Sequence, residues 1–345
     1  MLTLVSPQLH LAPRFGNSPP YTIASCLSLY YPPQASTRCQ TNYKRPGKRW
    51  RCKCGTSYSS DQEQFEKEDE EDFQVLVAIQ SLYNHIVILD SPSSRLLLLD
   101  TTGNIHSILN KGSKWTSSYW DEFATLPPVI PRGPVAIFGL GGGTAAHLML
   151  ELWPSLQLEG WEIDEILIDM SRDYLGLSDL EKHNSDGGIL KINIGDVFSP
   201  SVGITGGYSG IIVDLFANGK VLPQLEEAST WLELYGKLAP NGRIMVNCGA
   251  GQNEVQSAGS SVSSSDGSFT DGSWELNATI KACCKAFPGQ VNWKKMSRKA
   301  GENYVALTGP LPDLGVWSAC LPSELSSRVY QWKICNNSGI LHGCH

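Results

Sequence analysis

Val135-Ala-Ile-Phe-Gly-Leu-Gly-Gly-Gly-Thr144 joins a short apolar run to four glycines, and a helical pattern over residues 145–153 follows at once. The next apolar stretch, Leu158-Glu-Gly-Trp-Glu-Ile-Asp164, brings acids about twenty residues past the glycines. Strand, glycine turn, helix, strand and acid in this order predict a nucleotide-binding β-α-β unit. Gly139, Gly141 and Gly143 would let the main chain turn tightly and approach the ligand. The alternative is a purely structural turn.

The pattern outward from this unit predicts an α/β fold. Strand-like runs at 135–138, 158–163, 189–194, 210–214 and 243–248 alternate with helix-like runs at 145–153, 165–174, 221–238 and 274–287. Such alternation is typical of a doubly wound, mainly parallel sheet, which binds its ligand over the carboxyl ends of the strands. Residues 118–315 therefore form a predicted Rossmann-like domain.

Two further segments flank this domain. Short β-type runs at 73–79, 85–90, 95–100 and 105–109 predict a small antiparallel domain over residues 73–117. The stretch 249–273 is dense in serine and glycine and is interpreted as a loop, either a lid or an unstructured insertion. Residues 316–345 have no clear periodicity and are left as a C-terminal tail.

Charge is unevenly distributed along the 345 residues, whose net charge is −7. Residues 1–60 hold eight Lys or Arg and no acid, so the remainder carries 19 basic against 34 acidic side chains, or −15. An acidic body gives no reason to expect nucleic-acid binding. No apolar run has the roughly 18 residues that a membrane span needs.

The basic leader over residues 1–54 is rich in Ser, Thr and Pro and lacks a continuous apolar segment. This composition favours a chloroplast transit peptide, and hence the stroma, over a secretory signal; a basic tail that stays attached is the alternative. Residues 55–72 are acidic and are interpreted as a solvated linker. The ten cysteines show no paired spacing with histidines, which argues against a zinc site.

Four acids lie at the ends of three of the predicted strands. Glu162 is placed to accept both ribose hydroxyls, with Asp164 as the backup for that role. Asp196 could accept a hydrogen bond from an adenine amino group, and Asp214 would project into the centre of the cleft. Each acid could instead cap the helix or turn that follows it.

Taken together, these segments resemble the spermidine synthase (polyamine aminopropyltransferase) family within the S-adenosylmethionine-dependent methyltransferase superfamily. The resemblance covers residues 73–307 and rests on six collinear matches: 119–127, 136–143, 162–164, 195–196, 211–214 and 238–242. It implies a small N-terminal β domain before a Rossmann-like methyltransferase domain. It also implies S-adenosylmethionine or its decarboxylated form as the ligand, with Asp214 as base or substrate-orienting group and Tyr119 beside it. Family members assemble through the β domain, which makes a homodimer one option.

Three departures from the family pattern bear on the reaction. Gly142 replaces an Asp of the glycine loop, Ala217 replaces the second Asp of an Asp-Ser-Ser-Asp-Pro segment, and Trp120 replaces a His. A diamine needs a carboxylate at each end, and losing one costs about 3–5 kcal/mol. Asp121 and Glu122 could compensate only in a rearranged cleft.

Three hypotheses follow. The first is an S-adenosylmethionine-dependent methyltransferase acting on a small-molecule acceptor, favoured by the missing acids. The second is an aminopropyltransferase with an altered amine site. The third is a catalytically silent relative that keeps the fold for ligand sensing or assembly.

Overall fold

The computed structural model describes residues 72–250, 273–296 and 303–335. The predicted transit peptide, nearly all of the acidic linker and the serine-glycine loop, and the last ten residues lie outside these ranges. No helix within them has the length and apolarity to cross a bilayer.

A four-stranded antiparallel meander begins the described chain. Its strands are β1 Gln74–Gln80, β2 His85–Asp90, β3 Ser94–Leu98 and β4 Ser107–Asn110, in the order β1-β2-β3-β4. Alternate residues such as Ile86 and Ile88 are fully buried, because successive side chains of a strand point to opposite faces. The short one-turn helix α1 Tyr119–Phe123 then leads through a 3-10 turn, Pro127–Val129, into the main domain.

An eight-stranded sheet forms that main domain. Its parallel strands are β5 Val135–Phe138, β6 Gln157–Glu162, β7 Ile189–Ile194, β8 Tyr208–Val213 and β11 Leu238–Asn247. Beyond β11 lie β13 Tyr304–Thr308, β12 Val291–Lys295 and β14 Lys333–Ile334, giving the order β14-β12-β13-β11-β8-β5-β6-β7. The predicted doubly wound α/β fold with a small N-terminal β sheet is confirmed.

Helices cover both faces of the large sheet. They are α2 Thr144–Leu152, α3 Glu165–Tyr174, α4 Leu177–Leu180, α5 Ala228–Tyr235 and α6 Ala278–Ala286. Along β5, Val135 and Ile137 enter one hydrophobic core while Ala136 and Phe138 enter the other. The strand is therefore apolar throughout, as expected for a parallel strand that is buried on both faces.

One predicted helix is wrong over half its length. Residues 221–238 were expected to be helical, but Val221 belongs to a two-residue strand, Pro223–Glu226 is a 3-10 turn, and helix starts only at Ala228. Asn218 and Gly219 have φ of +51° and +70°, which makes a tight hairpin between β9 Phe216–Ala217 and β10 Lys220–Val221. Asn-Gly is the typical sequence of such a turn.

The chain after β13 packs against the main domain instead of forming an irregular tail. It contains α7 Leu314–Ala319, α8 Ser323–Ser326, a 3-10 turn Ser327–Gln331 and the edge strand β14. Trp317 is 1% exposed, donates its indole N–H to the Thr125 carbonyl at 2.7 Å and stacks near Trp332. This segment therefore packs against the chain that directly follows α1.

Candidate functional site

The strand order reverses between β5 and β8, where a doubly wound sheet opens a crevice. The glycine turn after β5, Glu162 at the end of β6 and Asp214 directly after β8 all lie at this edge. The N-terminal sheet approaches the same edge, because the Ser107 hydroxyl accepts the Gly142 N–H at 2.8 Å.

The glycine turn is held close to its neighbours on every side. Gly139 has φ +85°, and a Cβ added to it would lie 2.2 Å from the Asp214 carbonyl oxygen, so only glycine fits. The N–H groups of Gly139 and Leu140 both donate to the Trp161 carbonyl, and that of Gly141 to Glu162 Oε2 at 3.0 Å. The turn therefore offers close approach of the main chain, while these donors are already bonded within the protein.

Glu162 is half-buried at the carboxyl end of β6. Its Oε1 accepts the N–H groups of Ile163 and Asp164 at 3.0 and 3.3 Å, while Oε2 accepts that of Gly141. Burial raises the pKa of the Glu162 carboxyl, and these hydrogen bonds oppose the rise. A carboxylate has about four acceptor positions, so lone pairs remain for hydroxyl donors.

Asp164 is bonded to α3 and to the N-terminal sheet. Its Oδ1 caps α3 by accepting the Leu167 N–H at 3.3 Å. Its Oδ2 accepts the Ser81 hydroxyl and, at 2.7 Å, the Asn84 side-chain amide, both from the β1–β2 turn. The contacts of Asp164 are those of a helix cap that fastens the N-terminal sheet to the main domain, and nothing in them supports its predicted backup role with ribose.

Asp196 is exposed after β7 and accepts the Phe198 N–H at 3.0 Å, a turn contact that leaves its other oxygen open. Two isoleucines lie exposed beside it, Ile163 at 40% and Ile194 at 44%. Exposed apolar side chains at the carboxyl ends of adjacent strands provide a surface on which a flat base can pack. Both were missed from the sequence alone; the signal for Ile163 is its position between the acids Glu162 and Asp164.

Asp214 is the centre of a polar cluster. It receives hydrogen bonds from the Tyr119 hydroxyl and the Trp120 indole, both on α1, and from the Asn247 amide at 2.9 Å. Burial raises the pKa of Asp214 to about 6, although these three donors favour its ionised form. Burial also raises the pKa of Tyr119 well above 10. The predicted pair of Asp214 and Tyr119 is thus brought together, while Trp120 and Asn247 were missed.

A second titratable pair from the N-terminal sheet faces this cluster. The imidazole of His106 lies near enough to Asp214 to favour its ionised form. Its Nδ1 accepts the Leu99 N–H, and its Nε2 lies 3.5 Å from Asp100 Oδ2. Burial acts to raise the pKa of Asp100, but hydrogen bonds from His106 and Thr102 lower it to about 2.

The raised pKa of Asp214 predicts a measurable loss of stability with rising pH. Between its unfolded value of 3.8 and about 6, the folded state keeps a proton that the unfolded state has released, so stability falls as pH rises through this window. Two pH units correspond to about 3 kcal/mol. Urea unfolding of the wild type and of Asp214→Asn from pH 4 to 7 measures this loss. The free energy of unfolding of the wild type, relative to that of Asp214→Asn, should fall by about 3 kcal/mol over this range. A difference that stays flat over the range would contradict the assignment.

The acids proposed as substitutes in an amine site are not available. Asp121 and Glu122 are both 0% exposed. Glu122 Oε1 lies 2.8 Å from Lys294 Nζ, and Asp121 Oδ2 lies 3.3 Å from an Arg328 guanidinium nitrogen. Their charges are therefore neutralised within the protein.

The space beside Gly142 is also filled. A Cβ there would lie 2.5 Å from Leu175 Cδ1 and 2.8 Å from Ser107 Cβ. An aspartate at this position would displace β4 of the N-terminal sheet, so the glycine is matched to the local packing. Within the described residues, no group of three His, Cys, Asp or Glu side chains could hold a metal ion.

The chain is similar to known proteins over part of its length. No family model matches the chain. Over 96 residues it is 25% identical to a protein of Bifidobacterium longum (strain NCC 2705) named probable polyamine aminopropyl transferase. These 96 residues are 28% of this chain and 22% of that relative. Over this stretch the chain is similar to a polyamine aminopropyl transferase-like protein. The resemblance carried by the motifs is confirmed, although the match spans only about a fifth of the relative's length.

Solved structures with similarity to the chain include two spermidine synthases and a methyltransferase. The probable spermidine synthase of Corynebacterium glutamicum is 15% identical with a TM-score of 0.47, covering 68% of this chain and 80% of its own. The Thermotoga maritima spermidine synthase is 17% identical with a TM-score of 0.49, covering 69% of this chain and 73% of its own. Human methyltransferase-like protein 13, solved with SAH, is 14% identical with a TM-score of 0.41, covering 65% of this chain and 97% of its own. The fold class itself stands on the strand order described above.

Proposed function

We propose that this protein is a transferase that binds S-adenosylmethionine at the carboxyl edge of the large sheet and methylates a small acceptor. The bound sulfonium supplies an electrophilic methyl group. Glu162 accepts hydrogen bonds from the ribose hydroxyls, Asp196 accepts one from the adenine amino group, and Ile163 and Ile194 pack on the base. The glycine turn permits close approach of the ligand.

Asp214 and Tyr119 act on the acceptor. The acceptor's lone pair forms the new bond to the methyl carbon while the carbon–sulfur electrons return to sulfur, and the proton released from the acceptor passes to Asp214. A carboxyl with a pKa of about 6 is mostly ionised at pH 7 and can accept that proton. Tyr119, Trp120 and Asn247 hold the Asp214 carboxylate in one orientation.

One observation favours methyl transfer over aminopropyl transfer: apart from Asp214, none of the described positions considered for a second amine-binding acid offers an unpaired carboxylate. Gly142 has no room for an acid, and Asp121 and Glu122 are paired with cations. Ala217 lies on β9, directly across from the cation Lys220. A cationic diamine would find no buried partner among these side chains, which is costly.

Aminopropyl transfer is the second candidate, because the Bifidobacterium longum relative is named for that activity. It would use decarboxylated S-adenosylmethionine with an amine site of different composition. In either case, the basic leader supports the chloroplast stroma as the proposed location.

Calorimetry distinguishes the candidates. S-adenosylmethionine, its decarboxylated form and methylthioadenosine are titrated separately into the full chain. We expect S-adenosylmethionine to bind at least as tightly as the decarboxylated form, because positions 121, 122, 142 and 217 supply no unpaired carboxylate that would select for the latter. Tighter binding of the decarboxylated form would favour aminopropyl transfer, and no tight binding of any of the three would favour the catalytically silent relative.

A further inference from the structure

The turn before α1 is built around the carboxylate of Asp121. Its Oδ1 accepts the Thr116 N–H and hydroxyl at 2.9 and 2.7 Å, and its Oδ2 accepts the Ser117 N–H at 3.0 Å. Ser117 has φ +56°, a conformation that a non-glycine residue adopts only when its surroundings enforce it. The carboxylate thus holds the turn that presents Tyr119.

Helix α1 has little stability of its own. It is five residues long, and its N-cap residue Ser118 makes no side-chain capping bond. Isolated helices of this length are not stable in water, so its orientation depends on tertiary contacts. Its first two residues, Tyr119 and Trp120, are the ones that donate to Asp214.

Arg328 of the C-terminal segment contacts α1. One guanidinium nitrogen lies 3.3 Å from Asp121 Oδ2 and 3.7 Å from Glu122 Oε1, and so spans two adjacent carboxylates of α1. Lys294 completes the cluster, because its ammonium contacts Glu122 and donates to the Arg328 carbonyl at 3.1 Å. Two cations thus meet two fully buried carboxylates.

We propose that Arg328 is a positioning residue for the reaction: by clamping Asp121 and Glu122, it fixes α1 so that Tyr119 and Trp120 point at Asp214. This inference rests on the proposed function, in which Asp214 is the group that receives the acceptor's proton. Arg328 itself contacts no reacting atom. Arg328 lies 207 residues after Asp121 in the sequence. It acts on Tyr119 and Trp120 through the single turn of α1.

The test follows the titration of the Asp214 carboxyl by ¹³C NMR in the ligand-free full chain, with the signal assigned from Asp214→Asn. In Arg328→Ala, α1 loses its clamp and the Tyr119 and Trp120 donors move, so the Asp214 pKa should rise by about one pH unit. Arg328→Lys keeps one charge but cannot span both carboxylates, and should give an intermediate rise. Among the described residues, Tyr119 and His106 are the titratable groups that face Asp214, and neither variant substitutes them.

The matched control is Arg172→Ala. Arg172 is exposed to a similar extent and pairs with Glu181 on the α3–α4 corner, away from α1. It should leave the Asp214 titration unchanged. A folded Arg328→Ala with an unchanged Asp214 midpoint overturns the proposal; if that variant does not fold, an unchanged midpoint in Arg328→Lys does so. Because no ligand is present, this result is separate from the calorimetry that tests the proposed function.

Discussion

Replacing Glu162 with alanine should weaken binding of the adenosyl ligand by at least about a hundredfold. Two hydrogen bonds from ribose hydroxyls to a carboxylate contribute about 1.5–3 kcal/mol each, and every 1.4 kcal/mol is a factor of ten in affinity. The substitution also removes the acceptor for the Gly141 N–H, which loosens the glycine turn that the ligand approaches. Calorimetry with S-adenosylmethionine measures the loss.

The chain offers a matched control on the same strand. Glu159 on β6 accepts the Tyr208 hydroxyl at 2.9 Å and faces Lys191, away from the carboxyl edge. Glu159→Ala should bind the ligand like the wild type. Glu162→Gln, which keeps one oxygen for Gly141 but loses the charge, should be intermediate. Unchanged affinity in Glu162→Ala would remove the basis for placing the adenosine at this edge.

Replacing Lys294 with methionine should lower the free energy of unfolding by about 3–5 kcal/mol. Lys294 is 2% exposed, and its main partner Glu122 is fully buried, so removing the cation leaves a carboxylate without adequate neutralisation. Arg328, at 3.7 Å, is too distant to replace the 2.8 Å contact. Urea unfolding at neutral pH measures the change.

Two comparison variants test the cause. Lys191→Met removes a cation that is 64% exposed and lies 3.5 Å from Glu159, and should cost no more than about 1 kcal/mol. The double variant Glu122→Gln with Lys294→Met removes both charges and should recover most of the lost stability. Equal losses in Lys294→Met and Lys191→Met would show that the buried pair carries no special weight.

Local patterns were sufficient for much of the fold. The strands 85–90, 135–138 and 189–194 and the helix 165–174 have the predicted bounds, because short apolar runs mark the strands and an amphipathic pattern marks the helix. The antiparallel strands β12, β13 and β14 were missed. In β12, the buried polar residues Asn292 and Lys294 interrupt the apolar pattern and find partners only in the folded chain.

Some residues of the candidate site could also be predicted from local sequence, and others could not. The glycine turn, Glu162 and Asp214 follow from strand ends, since the carboxyl ends of parallel strands meet at one edge. Asp164 shows the limit of that argument. It stands two residues from Glu162, yet its carboxylate is directed to Ser81 and Asn84 of the N-terminal sheet.

The sequence by itself determined the class of fold and the edge of the sheet at which a ligand is expected, because glycines, apolar runs and strand-end acids act over a few residues. The tertiary structure alone decided which acids are free. Asp121 and Glu122 are indistinguishable from site residues until Arg328 and Lys294 are brought to them from far along the chain. Whether a carboxylate is a ligand or part of a buried ion pair depends on its neighbours in space, which no local pattern contains.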